Sequence, residues 1–92
     1  MYLIHFDRPY GRSSHYVGWA PPLGLRLRIT KHRQGAGART LRRLNEAGIG
    51  WNVVRIWTGA TLEDEQKVKA WKRSKLLCPT CSDPPLNYEL KP

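Results

Sequence analysis

Three short stretches rich in apolar, β-branched and aromatic residues constrain the fold of this chain more than any other feature of its sequence. They are residues 2–6 (YLIHF), 15–19 (HYVGW) and 51–57 (WNVVRIW). Residues of these types favour strands, because they pack well on a pleated, half-buried surface. Pro, Gly and Ser residues separate the first two stretches, which is typical of a loop that joins hairpin strands. We therefore predict an antiparallel hairpin, followed later in the chain by a third strand.

Apolar residues with helical spacing fill much of the sequence between and after these stretches. The first predicted helix begins at residue 23 or 25 and ends near 33, the second covers 38–47, and the third covers about 62–76. Glycines follow the first two, as is common at helix ends, and Thr61 is suited to cap the third. The order β-β-α-α-β-α predicts an α+β fold, with helices packed on a small three-stranded antiparallel sheet.

The 92 residues suffice for one domain with one modest hydrophobic core. We expect this domain to span 1–76 and to precede a Pro-rich tail, 77–92, with little regular structure. No apolar run approaches the roughly 18 residues of a membrane-spanning helix. Asp7, Arg8 and Pro9 interrupt the apolar start too early for a signal peptide. We therefore expect a cytoplasmic protein without a membrane partner.

The charge of the chain points to a polyanionic partner. Sixteen Lys and Arg residues stand against seven Asp and Glu residues, which gives a net charge of +9. Nucleic acid is the usual partner of such a chain, because each phosphate contact releases condensed counterions. Charge that serves a ribosomal or merely solubilising role is the alternative.

Candidate chemical groups lie on the hairpin and on the first helix. Arg28 and His32 are four residues apart and so share one helix face, a spacing that Arg26 lacks. The Arg fork matches a phosphate, and a His can donate to a phosphate oxygen or exchange a proton near neutral pH. Tyr2 and Tyr16 can meet at one end of the hairpin, where phenols bond phosphates or relay protons. The alternatives are a solvated basic stripe and ordinary strand aromatics.

Glu65 is the candidate metal ligand. At about 100° per residue, it falls on the stripe of the third helix that should face the sheet. The apolar members of this stripe are Leu62, Val68 and Leu76. A carboxylate in such a position is costly unless it is paired or bound to a metal. Lys69 and Lys72 are close enough in angle to form an ion pair with it, which is the alternative.

The order of these residues resembles the GIY-YIG nuclease superfamily. Tyr2-Leu3-Ile4 followed by Tyr16-Val17-Gly18 looks like the two short strands that name it. Arg28 followed by His32 is similar to its helix, and residues 32–39 (HRQGAGAR) resemble its small stand-alone members. Residues 65–69 (EQKVK) are similar to its metal-binding Glu with the apolar-Lys pair that follows. The resemblance covers about residues 2–73.

This resemblance implies a metal-dependent endonuclease that hydrolyses DNA phosphodiester bonds and leaves a 3′-hydroxyl and a 5′-phosphate. Tyr2 is implied to help activate water as a general base, and Gly18 to let the backbones pack closely. Arg28 is implied to hold the scissile phosphate, assisted by His32. The remaining implied roles are Tyr16 as the tyrosine of the second motif and Glu65 as the ligand of one Mg²⁺ or Mn²⁺.

Cys78 and Cys81 form half of a structural zinc site, which needs four ligands. The other good donors are His5, His15 and His32, and none of them has the spacing of a zinc knuckle. A zinc ion shared between two chains is one alternative. The spacing favours two free thiols over a zinc site, and a cytoplasmic location disfavours a disulfide.

The densest basic region is expected to track the DNA backbone rather than to read base edges. It comprises Lys31, Arg33, Arg39, Arg42 and Arg43. The small size leaves no separate sequence-reading domain, so cutting is expected to be weakly specific, structure-selective or directed by a protein partner. Two other functions stay open: a nucleic-acid-binding module without activity, and a zinc-stabilised interaction protein.

Overall fold

The first strand, β1 (Tyr2–Tyr10), is the centre of a three-stranded antiparallel sheet in the computed structural model, which describes residues 1–89. It pairs with β2 (Ser13–Gly18) on one side and with β3 (Trp51–Ile56) on the other. The helices are α1 (Leu25–Arg33), α2 (Arg39–Glu46) and α3 (Leu62–Trp71). None of the helices within these residues is long and apolar enough to cross a membrane. The predicted α+β architecture is confirmed.

The hairpin is longer than predicted, because β1 continues past residue 6. The Asp7 N–H donates to a backbone carbonyl beside β3 at 2.8 Å, so pairing extends into the segment expected to be a loop. A shift of register between His5 and Tyr10 absorbs the extra length. The turn itself contains Gly11, whose φ of 61° suits glycine. The prediction of a loop over residues 7–14 is therefore wrong for most of this segment, because Pro, Gly and Ser residues lie within or beside the strands.

The alternation of side chains along β1 builds two hydrophobic clusters on opposite faces of the sheet. The first cluster includes Tyr2, Ile4, Phe6, Leu41, Leu44 and Trp51, so α2 covers this face. The second includes Leu3, Val17, Trp57, Val68, Leu77 and Cys78, so α3 and the segment after it cover the other face. Both faces are therefore buried, which is unusual for so small a sheet and fixes the register of β1 strongly.

Helix α3 ends earlier than predicted. Thr61 and Asp64 form a capping box at its start, but Lys72 adopts a left-handed conformation with φ 58° and ends the helix. A 3₁₀ turn, Ser74–Leu77, follows and turns the chain back toward the sheet. Leu76 therefore lies outside the helix, and the helix keeps Val68 buried while Leu62 is exposed. The predicted apolar stripe around Glu65 is wrong in these two members.

Residues 77–89 have no helix or strand beyond the end of that turn, yet they pack on the domain. Leu77 and Cys78 are buried in the second cluster. The Arg55 guanidinium donates to the Leu77 carbonyl at 3.0 Å and to the Leu86 carbonyl at 2.6 Å. The Tyr88 hydroxyl donates to Asp64 at 2.8 Å. The last three residues of the expected tail, 90–92, lie outside the described part of the chain.

Gly18 should be essential for packing, because a Cβ added there would lie 2.3 Å from the Tyr2 ring. We expect Gly18→Ala to lower the free energy of unfolding by about 1–3 kcal/mol, the usual cost of overpacking a core. Urea denaturation measures this. Gly24→Ala is the matched control, because its nearest contact would be an ordinary 3.5 Å and its effect should stay within about 0.5 kcal/mol. Equal effects of the two substitutions would contradict this account.

Candidate active site

A buried hydrogen bond joins the hairpin to the first helix. The Tyr2 hydroxyl and His32 Nε2 lie 2.7 Å apart, and both residues are fully buried. Tyr16 completes a cluster of three rings: its centroid is 6.4 Å from that of Tyr2 and 5.9 Å from that of His32. The two tyrosines and the histidine, proposed from separate parts of the sequence, are thus neighbours.

The contacts of His32 determine which of its nitrogens carries the proton. The backbone N–H of Ala38 donates to Nδ1 at 3.2 Å, so Nδ1 is an acceptor and Nε2 holds the hydrogen. His32 therefore donates to the phenol oxygen of Tyr2. Burial and then the nearby Arg28 charge lower the pKa of His32 to about 4. The imidazole is consequently neutral at physiological pH and is suited to position Tyr2 rather than to act as an acid.

The surroundings of His32 hold its ring in one place. A Cβ on Gly37 would lie 2.1 Å from Nδ1, so glycine is needed beside the ring. The Asn45 side-chain amide donates to the His32 carbonyl at 2.9 Å, and the Trp51 indole N–H donates to Asn45 Oδ1 at 2.9 Å. Sequence analysis did not identify Asn45, because its partners come from different elements and no local pattern marks it.

Arg28 points its guanidinium toward the two phenols. Burial raises the pKa of Tyr2, and the neighbouring Arg28 guanidinium opposes this rise. The same contact with Tyr2 raises the pKa of Arg28, with a further contribution from Tyr16. The Tyr2 oxygen thus accepts a hydrogen bond from His32 and lies near the positive charge of Arg28.

Glu65 approaches this group from α3, which contacts β2. Its carboxylate is close enough to Tyr2 to raise the pKa of the phenol. The side chain is 13% exposed, and Oε1 pairs with Lys69 Nζ at 2.9 Å. The same ammonium lies 5.5 Å from the centre of the Tyr16 ring. The ion pair considered as an alternative role for Glu65 is therefore formed, and it stands beside the phenols.

A shallow cavity of about 300 Å³ adjoins Arg28 on the outer side of α1. Trp19, Leu27 and Lys31 contribute to its lining. The Trp19 indole N–H donates to the Ala60 carbonyl at 2.8 Å, which fixes the aromatic ring at the rim. An aromatic face beside two cations is a suitable surface for a nucleotide.

The five residues of the basic region are all exposed, on α1 and α2. Two of them have intramolecular roles: Arg33 lies 3.7 Å above the Trp51 ring, and Arg42 lies 4.0 Å from Glu46. Within residues 1–89, Lys31, Arg39 and Arg43 form no ion pair and keep their charge available to solvent.

The Cys pair is joined by two histidines that the sequence could not assign to it. The potential ligand atoms of His5, His15, Cys78 and Cys81 all lie within 4.8 Å of one another. His5 of β1 and His15 of β2 are direct partners in the antiparallel pairing. The sequence did not predict this pairing, because the length of the hairpin loop was predicted wrongly. A metal can bind here, and sulfur and nitrogen donors suit zinc better than magnesium. No second such group of His, Cys, Asp or Glu occurs among residues 1–89.

The low pKa of His32 makes a prediction about pH. The unfolded chain binds a proton on this residue near pH 6.5, whereas the folded chain does so only near 4. Stability should therefore fall as the pH drops from 6.5 to 4, by at most about 3 kcal/mol from this residue. Urea denaturation across this range measures the loss, and NMR titration of the imidazole should give a midpoint near 4. A midpoint near 6.5 would refute the burial argument.

Comparison with known proteins finds no match: no family model, no curated protein and no solved structure is similar to this chain at a significant level. Function is therefore inferred from the chemistry of the residues described above.

Proposed function

We propose that this protein is a metal-dependent endonuclease that hydrolyses DNA phosphodiester bonds with the chemistry of the GIY-YIG nucleases. The observation that carries the proposal is the convergence of two phenols, a guanidinium and a clamped neutral imidazole, with a carboxylate beside them. Tyr2, Tyr16, Arg28, His32 and Glu65 come from β1, β2, α1 and α3.

Arg28 is the residue that holds the scissile phosphate. Its planar fork can bind two phosphate oxygens, and it stays charged at any physiological pH. It is exposed, so a phosphate can reach it, while its contact with the phenols fixes its direction. Arg26 on the same helix is also exposed and shows no such contact, so Arg28 is the better candidate of the two.

Tyr2 is the proposed general base. As a phenolate it accepts the proton of the attacking water, whose oxygen then forms the new bond to phosphorus. The bond from phosphorus to the 3′ oxygen breaks, and this oxygen takes up a proton from solvent, which gives the 3′-hydroxyl and the 5′-phosphate. His32 donates to the Tyr2 oxygen and the Arg28 guanidinium lowers the pKa of the phenol, so both stabilise the phenolate. His32 is thus a positioning residue.

Glu65 is suited to hold one Mg²⁺ or Mn²⁺. Both ions prefer oxygen ligands, and Mg²⁺ usually keeps several waters beside one or two carboxylates. Glu65 offers a single carboxylate that is 13% exposed, and the Lys69 ammonium 2.9 Å away would have to be displaced by the ion. When bound, the ion supplies Lewis acidity to the phosphate oxygens. A positive charge here also opposes the effect of Glu65, which raises the pKa of Tyr2.

The exposed basic residues of α1 and α2 extend this site into a binding surface. Lys31, Arg39 and Arg43 are free to contact backbone phosphates, which position DNA without reading its sequence. Specificity then comes from the shape of the DNA or from a protein partner.

A nucleic-acid-binding module without activity is the second candidate function. The ion pair between Glu65 and Lys69 favours it, because this pair gives the carboxylate a structural role that needs no metal. The basic surface and Trp19 serve binding equally well in both functions.

Substitution of Glu65 separates the two candidates. With plasmid DNA and Mg²⁺ or Mn²⁺, we expect Glu65→Gln to slow cutting about a hundredfold or more, while DNA binding persists. Lys69→Met is the matched control: it removes the same ion pair but keeps the carboxylate, and should cut within about fivefold of the parent protein. Binding without cutting by the unmodified protein would establish the second function. Equal losses in both variants would assign Glu65 a structural role only.

Arg28 is tested in the same assay. We expect Arg28→Gln to reduce the cutting rate by about 10²–10³, because one charge-stabilising donor to the transition state is lost. Arg26→Gln removes the same charge from the same helix and should retain most of the activity. DNA affinity, measured by fluorescence anisotropy in the presence of a chelator, should fall similarly in both variants. Equal cutting by the two variants would exclude the proposed role of Arg28.

A further inference from the structure

The four donor atoms of His5, His15, Cys78 and Cys81 point toward one centre. His5 Nδ1 lies 3.2 Å from His15 Nε2, 3.6 Å from Cys78 Sγ and 3.5 Å from Cys81 Sγ. Cys81 Sγ lies 3.4 Å from His15 Nε2. A ring nitrogen carries either one hydrogen or one lone pair, so His5 Nδ1 cannot form three directed hydrogen bonds at once. One cation at the common centre satisfies all four donors together.

The distances fit one metal ion in particular. Zinc binds sulfur at about 2.3 Å and nitrogen at about 2.0–2.1 Å in a tetrahedron, which sets S···N edges of about 3.6 Å and an N···N edge of about 3.3 Å. Three S···N distances, His5–Cys78, His5–Cys81 and His15–Cys81, run from 3.4 to 3.6 Å, and the N···N distance is 3.2 Å. We propose that these four residues bind one structural Zn²⁺ within a single chain, on the opposite face of the sheet from Tyr2 and His32.

Local structure prepares the ligands for this role. The N–H groups of Cys81 and Ser82 both donate to the Cys78 carbonyl, at 3.2 and 2.9 Å, so a tight turn brings the two thiols to the same side. His5 and His15 are direct partners in the antiparallel ladder. Two thiolates and two neutral imidazoles neutralise Zn²⁺, and its binding to the two thiols releases two protons.

Metal access and coordination number agree with a structural ion. His5, His15 and Cys81 line a cavity of about 620 Å³ that gives an entry path. Four protein ligands leave no open position for a substrate, which distinguishes a structural from a catalytic zinc. The ion ties the segment after α3 to the hairpin, beside the contact of Arg55 with the Leu77 carbonyl. It therefore fixes the path of the chain on the face that α3 covers.

Metal analysis of the full chain, purified without chelator, tests the proposal. Sedimentation of the same sample shows whether the ion is held within one chain or between two. We expect one zinc per chain, a monomer in sedimentation, and the visible bands of four-coordinate thiolate-bound Co²⁺ after replacement. Chelation should lower the midpoint of thermal unfolding by roughly 15 °C or more. It should also make both thiols reactive toward a chromogenic disulfide reagent. Half a zinc per chain in a dimer, iron in its place, or failure of the chelated protein to take up Zn²⁺ would each overturn the proposal.

Variants assign the ligands. Cys81→Ser and His15→Gln should lose at least half of the bound zinc, whereas Thr80→Ala, an exposed position between the two cysteines, should keep all of it. If the ligand variants fail to fold, thiol protection in the unmodified protein before and after chelation still decides the question. Glu65→Gln should retain one zinc, so failure of the nuclease proposal and failure of the zinc proposal are distinguishable. Full zinc content in Cys81→Ser would exclude this ligand set.

Discussion

The buried hydrogen bond between Tyr2 and His32 is the constraint on which the rest of the site depends. It requires a large ring from the strand and another from the helix to meet in a fully buried space. Two glycines make that meeting possible, since a Cβ on Gly18 would collide with Tyr2 and one on Gly37 would collide with His32. The Ala38 N–H then fixes the tautomer, so the direction of the proton on His32 is built into the backbone.

The charges around Tyr2 act in opposite directions. Burial and Glu65 raise the pKa of the phenol, whereas Arg28 lowers it. Lys69 places an ammonium between the Glu65 carboxylate and the Tyr16 ring, so the fold already accommodates a positive charge at this position. A divalent ion held by Glu65 would add positive charge beside Tyr2 and so would oppose the rise in its pKa.

Local sequence patterns predicted what depends on local spacing. The strands, the three helices and the shared face of Arg28 and His32 follow from residue type and periodicity, and all are present. The partners of Cys78 were missed because they lie on distant segments of the chain, and the end of α3 was missed because it depends on the backbone conformation of one residue. Lys72 in a left-handed conformation has no sequence signal, and the pairing of His5 with His15 is visible only once the hairpin register is known. Asn45 was missed, like the partners of Cys78, because its own partners come from different elements.

The same register explains how one short strand can serve two sites. Side chains alternate along β1, so Tyr2 and His5, three residues apart, emerge on opposite faces. A slip of one residue in the pairing would move Tyr2 toward the tail and His5 toward His32, which would break both sites at once. The two buried clusters, the Tyr2–His32 group and the His5–His15 pair therefore all require the same register of β1. A contact that stabilises this register on one face also stabilises the arrangement on the other. The proposed zinc ion would add to this constraint, because it would join His5 of β1 and His15 of β2 to the segment after α3.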